Sequence, residues 1–110
     1  MNLTELCAAL RLEVIAGETD GKGWNGVYAG DLLSRAMSHV KADNLWITIM
    51  SNTNVIAVAS LTEASAVILA EGVELLPEAL DAAVENGITV LSSDATVYEL
   101  CAAIHGTEKA

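Results

Sequence analysis

The sequence predicts one α/β domain over residues 1–110, a three-layer α/β/α arrangement with a mainly parallel central sheet. Three observations lead there. Apolar segments of strand length alternate with segments of helical period through the last two-thirds of the chain. Those strand segments are apolar on both faces, which suits a sheet covered by helices on either side. Of the 110 residues, 53% are apolar and 18% charged, against ~45–50% and ~25% in ordinary globular chains. That balance excludes disorder, and the length supports one core.

The elements follow in order. Residues 2–10 form a helix with Asn2 or Thr4 as its N-cap and Leu3, Leu6, Cys7 and Leu10 on one face. Residues 13–16, carrying Val14 and Ile15, make a first strand. Residues 17–25 turn to Gly, Asp, Glu, Thr and Lys and read as an exposed loop or flap. Residues 27–29 are a short strand. A helix then starts at Gly30-Asp31, with Asp31 at its positive end and a buried stripe of Leu32, Leu33, Ala36, Met37 and Val40. Residues 45–50, β-branched and aromatic, are a strand. Residues 51–54 cap the helix that follows over 54–61. Residues 66–70 are an apolar strand bounded by Ser65 and Glu71-Gly72. Pro77 opens a helix where its missing N–H is harmless, and Gly87 closes it. Its inward residues are Ala79, Leu80, Ala83 and Val84. Residues 88–91 are the last strand. Thr96 and Glu99 have capping-box spacing, so the final helix starts there and ends at about His105, before Gly106. Strands linked by single helices pair in parallel.

Composition excludes several functions. The net charge is −10, and Arg11, Lys22, Arg35, Lys41 and Lys109 are scattered, so no basic footprint for nucleic acid exists. No apolar run approaches the ~20 residues that cross a bilayer, and no signal-peptide pattern opens the chain. A cytoplasmic protein is expected. Cys7 and Cys101 lack metal-ligand spacing and read as two buried, reduced thiols. Glu71 and Glu74 are read as surface acidity rather than a metal site. His39 and His105 fall late in helices, where a cation is favoured, and neither adjoins a nucleophile pattern. Gly21-Lys22-Gly23 lacks the spacing of a phosphate loop. No catalytic residue, metal or cofactor is expected. Trp46 belongs in the core; Trp24 packs over the sheet edge or against a second chain.

In parallel sheets, ligands approach the carboxyl ends of the strands. Reading those ends gives Ser51, Asn52 and Asn54 after one strand, Glu71 and Gly72 after the next, and Ser92, Ser93, Asp94 and Thr96 after the last. These hydroxyl, amide and carboxylate groups form the candidate ligand-binding rim. No Lys or Arg stands among them, so a triphosphate is poorly served. The same residue types also cap helices and close turns.

Several stretches together resemble a DRTGG domain. They are Tyr28-Ala29-Gly30-Asp31-Leu32-Leu33-Ser34, Leu45-Trp46-Ile47-Thr48-Ile49 with Asn54-Val55-Ile56-Ala57-Val58-Ala59, and Ala66-Val67-Ile68-Leu69-Ala70-Glu71-Gly72, continued by Pro77-Glu78 and Gly87-Ile88-Thr89-Val90-Leu91-Ser92-Ser93-Asp94. The resemblance covers nearly the whole chain. It implies a fold similar to the N-terminal domain of HPr kinase/phosphorylase, which carries no kinase chemistry. It also implies the regulatory role of a family found alone, in phosphate acetyltransferases and in CBS-containing pyrophosphatases. The family's Gly-Asp-Arg element falls at Met50-Ser51-Asn52 and its Thr-Gly-Gly element at Ala70-Glu71-Gly72, where only Gly72 matches.

The function expected from all this is a non-catalytic regulatory or interaction module that forms a homodimer and senses a small ligand. The dimer is expected from surplus apolar residues on a small chain and from the family's dimeric tendency. One alternative is a sensor of a nucleotide or related metabolite at the rim. Another is an accessory protein whose acidic surface docks a redox or metabolic enzyme.

Overall fold

Five strands form one sheet in the order β1-β5-β4-β3-β2 in this computed structural model, which describes residues 1–108. Lys109 lies outside them. The elements are α1 (Leu3–Leu10), β1 (Glu13–Ala16), β2 (Val27–Ala29), α2 (Leu33–His39), β3 (Leu45–Thr48), α3 (Thr53–Thr62), β4 (Ala66–Leu69), α4 (Pro77–Asn86), β5 (Val90–Ser92) and α5 (Val97–Glu108). The pairs β2–β3, β3–β4 and β4–β5 are parallel. The first strand adds to the edge of β5 antiparallel, with Glu13 opposite Ser92, and is irregular between Val14 and Ala16.

Alternation along the strands divides the core in two. Trp46, Val67, Leu69 and Val90 face α2, α3 and α4, meeting Ala36, Val55, Ala59, Ala79 and Ala83. Leu45, Ile47, Ile68 and Leu91 face α1 and α5, meeting Leu3, Leu6, Leu100 and Ile104. A period of two therefore serves two apolar layers, as a doubly covered sheet requires. Each fully buried Leu or Ile side chain contributes ~1.5–3 kcal/mol relative to exposure. The indole of Trp46 is wholly buried, and its Nε1–H donates to the Gly30 carbonyl at 3.0 Å, satisfying its polar atom.

Caps set most boundaries. Asn2 and Glu5 form a reciprocal capping box on α1, Asn52 accepts from the Asn54 N–H on α3, and Gly87 closes α4 with φ +65°. Thr96 and Glu99 exchange the two capping-box bonds at 3.1 and 2.9 Å. The helix they start runs through Gly106 to Glu108 rather than stopping before it.

Several expectations are corrected. The helix after β2 starts at Leu33, and Asp31 does not cap it. The Asp31 carboxylate instead accepts from Thr48 Oγ1 at 2.7 Å and from the Ile49 N–H at 2.9 Å, tying the end of β2 to the end of β3. Leu32 and Met37 are 62% and 50% exposed, and Val84 is 66% exposed, so none of the three is inward. Their apolar character matches the helical period without facing the sheet.

Residues 17–25 form the expected exposed loop, but not a free flap. They cross the amino ends of the strands and are pinned there. Thr89 Oγ1 donates to the Glu18 carbonyl, Lys22 Nζ donates to Thr89 Oγ1, Ser65 Oγ donates to the Gly23 carbonyl, and Asn44 Nδ2 donates to the Asn25 carbonyl. Thr89 and Ser65 are buried, and this strap satisfies their hydroxyls. Trp24 in the same segment packs beside the α1–α5 layer. Cys7 and Cys101 are free but half-buried rather than buried, and burial pushes both thiols above their ordinary value.

Candidate ligand site

The connections out of β4 and β5 part company. The chain leaves β4 towards α4 on one face and leaves β5 towards α5 on the other. A cleft opens at such a divergence, outside the carboxyl ends of the strands. Here it measures about 370 Å³, within the range of small-molecule sites.

Backbone bonds build its floor. The Glu71 N–H donates to the Ala95 carbonyl at 2.8 Å and the Gly72 N–H to the Ser93 carbonyl at 2.9 Å, zipping the two loops together. Glu71 and Gly72 both have positive φ, +60° and +69°. A side-chain-bearing residue such as Glu71 in this region costs ~1–2 kcal/mol. At Gly72 a Cβ would stand 3.0 Å from Asp94 Oδ1, so glycine also lets the Asp94 carboxylate come close.

The lining combines Glu13, Glu74 and Asp94 with an apolar wall of Ile15, Leu69, Leu75 and Leu80. Among the described residues no basic side chain lines it. Leu76, the residue before α4, supplies no side-chain acceptor to that helix's first N–H groups. Polar ends over an aliphatic wall suit a small organic molecule with an apolar body and hydrogen-bonding groups.

Of the residues expected at the rim, Gly72, Ser92 and Asp94 line this cleft. Glu71 and Ser93 hold its floor: the Ser93 N–H donates to the Leu69 carbonyl, and Ser93 Oγ accepts from the Ala95 N–H. Thr96 caps α5. The group after β3 stands apart. Asn52 and Asn54 are engaged with each other at the start of α3, and Ser51 reaches the cleft's border only through its carbonyl, which accepts from the Leu76 N–H at 3.0 Å.

Glu13 and Ile15 were not expected here. Their presence depends on β1 pairing beside β5, which no local pattern in the sequence encodes. Glu74, Leu75 and Leu80 were legible as neighbours of the β4 end but not as cleft residues. Neither histidine lines the cleft: His39 Nδ1 lies 2.9 Å from the Arg35 carbonyl and from Ser38 Oγ, and His105 Nδ1 lies 3.6 Å from Glu108. Among the described residues no group of three or more His, Cys, Asp or Glu is placed to hold a metal ion, and no helix is long and apolar enough to cross a membrane.

Fold and cleft together define a mainly parallel α/β module with a carboxyl-end cavity and, among the described residues, no glycine-rich phosphate cradle. The chain belongs to the DRTGG domain family, whose model it matches over residues 5–107. Among solved structures it is similar to the CBS and DRTGG domains of the regulatory region of Clostridium perfringens pyrophosphatase, complexed with the activator diadenosine tetraphosphate. The TM-score is 0.78 at 17% identity, covering 93% of this chain and 45% of that one. The chain thus spans a little under half the length of that relative, and the likeness is one of fold. Among curated proteins none matches.

Proposed function

We propose that the chain is a non-catalytic regulatory module, a single domain over residues 1–110, which forms a homodimer in the cytoplasm and senses a small ligand in the carboxyl-end cleft. The cleft carries this reading. It is the place where fold geometry, a cavity of about 370 Å³ and convergent polar groups coincide. Gly72, Ser92 and Asp94 contact the ligand, while Glu71, Ser93 and Thr96 fix the loops around it. Ser51 supports its border through the carbonyl that accepts from the Leu76 N–H, while Asn52 and Asn54 cap α3 outside it.

The regulatory region to which the chain is similar takes an adenine dinucleotide as activator, so nucleosides and nucleotides are the first ligands to try. Electrostatics grades them. Glu13, Glu74 and Asp94 oppose a bare polyphosphate, so a nucleoside end, or a nucleotide whose charge a metal ion or second subunit offsets, fits better. Self-association is supported by large apolar side chains left in solvent on several elements, Leu32, Met37, Leu61, Val84 and Tyr98 among them.

Thermal shift with nucleosides, mono- and dinucleotides with and without Mg²⁺, and acyl phosphates tests the ligand. A ligand at about 100 times its Kd stabilises by ~2.7 kcal/mol, a rise of several degrees in a chain of this size. Asp94→Ala and Glu74→Ala are expected to change that rise selectively. No stabilisation by any compound would remove the sensing half of the proposal.

A further inference from the structure

The two edges of the sheet are not alike. At one edge, β1 carries the exposed carboxylate of Glu13 and an irregular register between Val14 and Ala16. Charges and bulges of this kind discourage strand addition. The other edge, β2, has neither: it is Val27-Tyr28-Ala29, regular and uncharged.

The ladder fixes which backbone groups of β2 are free. The Leu45 N–H donates to the Gly26 carbonyl and the Gly30 N–H to the Ile47 carbonyl, both at 3.1 Å. Residues 26, 28 and 30 therefore turn their polar groups towards β3, and Val27 and Ala29 turn theirs to the open side. That open side is a groove. Val27 and Ala29 line it from the sheet, and Cys101, His105 and Glu108 line it from α5, enclosing about 320 Å³. A second hollow of about 390 Å³ continues it past Gly26 and Glu108 to Trp24. The Nε1–H of Trp24 is buried without a hydrogen-bond partner among the described residues. Tyr98, 81% exposed, stands on the same α5 stripe at 98, 101, 105 and 108.

We propose that the β2 edge with the adjoining α5 stripe is the two-fold surface through which a second copy of this chain docks, antiparallel, β2 against β2. This rests on the homodimer reading above and names its surface. The hydrogen bonding is self-complementary. A two-fold axis at Tyr28 sets Val27 of one copy opposite Ala29 of the other, and each such pair exchanges two N–H···O bonds, four in all. Charge favours the same face. Among the described residues Glu108 is the one carboxylate lining the groove, and His105 of its own chain lies beside it at 3.6 Å, whereas the cleft at the far edge holds three carboxylates. Two copies of an acidic chain therefore meet here with little repulsion.

The test is sedimentation equilibrium of the full chain, wild type and variants, from about 1 to 100 µM. Ala29→Pro removes an outward N–H and leaves the β2–β3 ladder in place; circular dichroism and thermal melting report its fold. Tyr98→Glu alters an exposed side chain and serves if Ala29→Pro misfolds. Val14→Lys on the opposite edge is the control. The expected result is a wild-type dimer whose Kd rises at least tenfold in Ala29→Pro and Tyr98→Glu and is unchanged in Val14→Lys. A wild-type dimer with unaltered Kd in both groove variants overturns the surface and leaves the homodimer reading standing. A wild type that stays monomeric at 100 µM overturns both.

Discussion

Replacing the glycines of the strap over residues 17–25 one at a time separates backbone strain from steric contact. Gly17 has φ +82°, and a Cβ there would lie 2.6 Å from the Thr89 Cα and 2.8 Å from the Ile88 carbonyl oxygen. Both atoms are backbone and belong to the chain entering β5. Gly21 has φ +74° with nothing within 4 Å of a Cβ, and Gly23 has neither positive φ nor a neighbour. Gly23→Ala is therefore expected to be neutral or to stabilise by up to ~1 kcal/mol through the unfolded chain. Gly21→Ala costs ~1–2 kcal/mol for its backbone conformation alone. Gly17→Ala adds ~1–3 kcal/mol of overpacking to the same conformational cost, giving roughly 2–5 kcal/mol. Urea denaturation at unchanged m-value measures all three. If Gly17→Ala falls within about 0.5 kcal/mol of Gly21→Ala, beneath even the lower bound of that overpacking, the strap is not seated on Thr89 and the account of the amino end is wrong.

Other outcomes follow from single contacts. Asp31→Ala should cost ~1.5–3 kcal/mol, the range for bonds to a charged acceptor. Asp31→Ser should not restore it, since Ser rescues an N-cap but is too short to bridge to Thr48. Burial lowers the Lys22 amine below its ordinary value, with Asp43 opposing. The unfolded chain then binds more protons than the folded one between the lowered value and about 10.5, so this residue's contribution to stability rises with pH across that window. Lys22→Gln should flatten that rise in alkaline denaturation curves. Burial raises the Cys7 and Cys101 thiols, so at pH 8 iodoacetamide should modify both more slowly in the folded chain than in urea.

The sequence was most legible where local chemistry fixes an end. Pro77 and Gly87 bracket α4, Thr96 with Glu99 starts α5, and the strand at 13–16 coincides with β1. It was least legible where a residue's role depends on a distant partner. Asp31 has the composition of an N-cap, but its acceptors' partners lie 17 and 18 residues on. Leu32, Met37 and Val84 fit the helical period, yet no second element covers them within one copy. The rim was half legible for the same reason. Strand ends mark the β4 and β5 loops, but only the order of the sheet decides that β1 joins the cleft and the β3 loop does not.

That order has a consequence for how the chain assembles. The strands β2 to β5 meet their neighbours in succession, each through one helix, so closure distances stay short. The opening segment is different. β1 finds its partner at residues 90–92, and Leu3 and Leu6 of α1 pack with Leu100 and Ile104 of α5. During synthesis, β1 therefore has no strand to pair with until residues 90–92 are made, and Leu3 and Leu6 lack their α5 partners until residues 100–104 follow. The opening segment completes its contacts only when the last strand and the last helix are present.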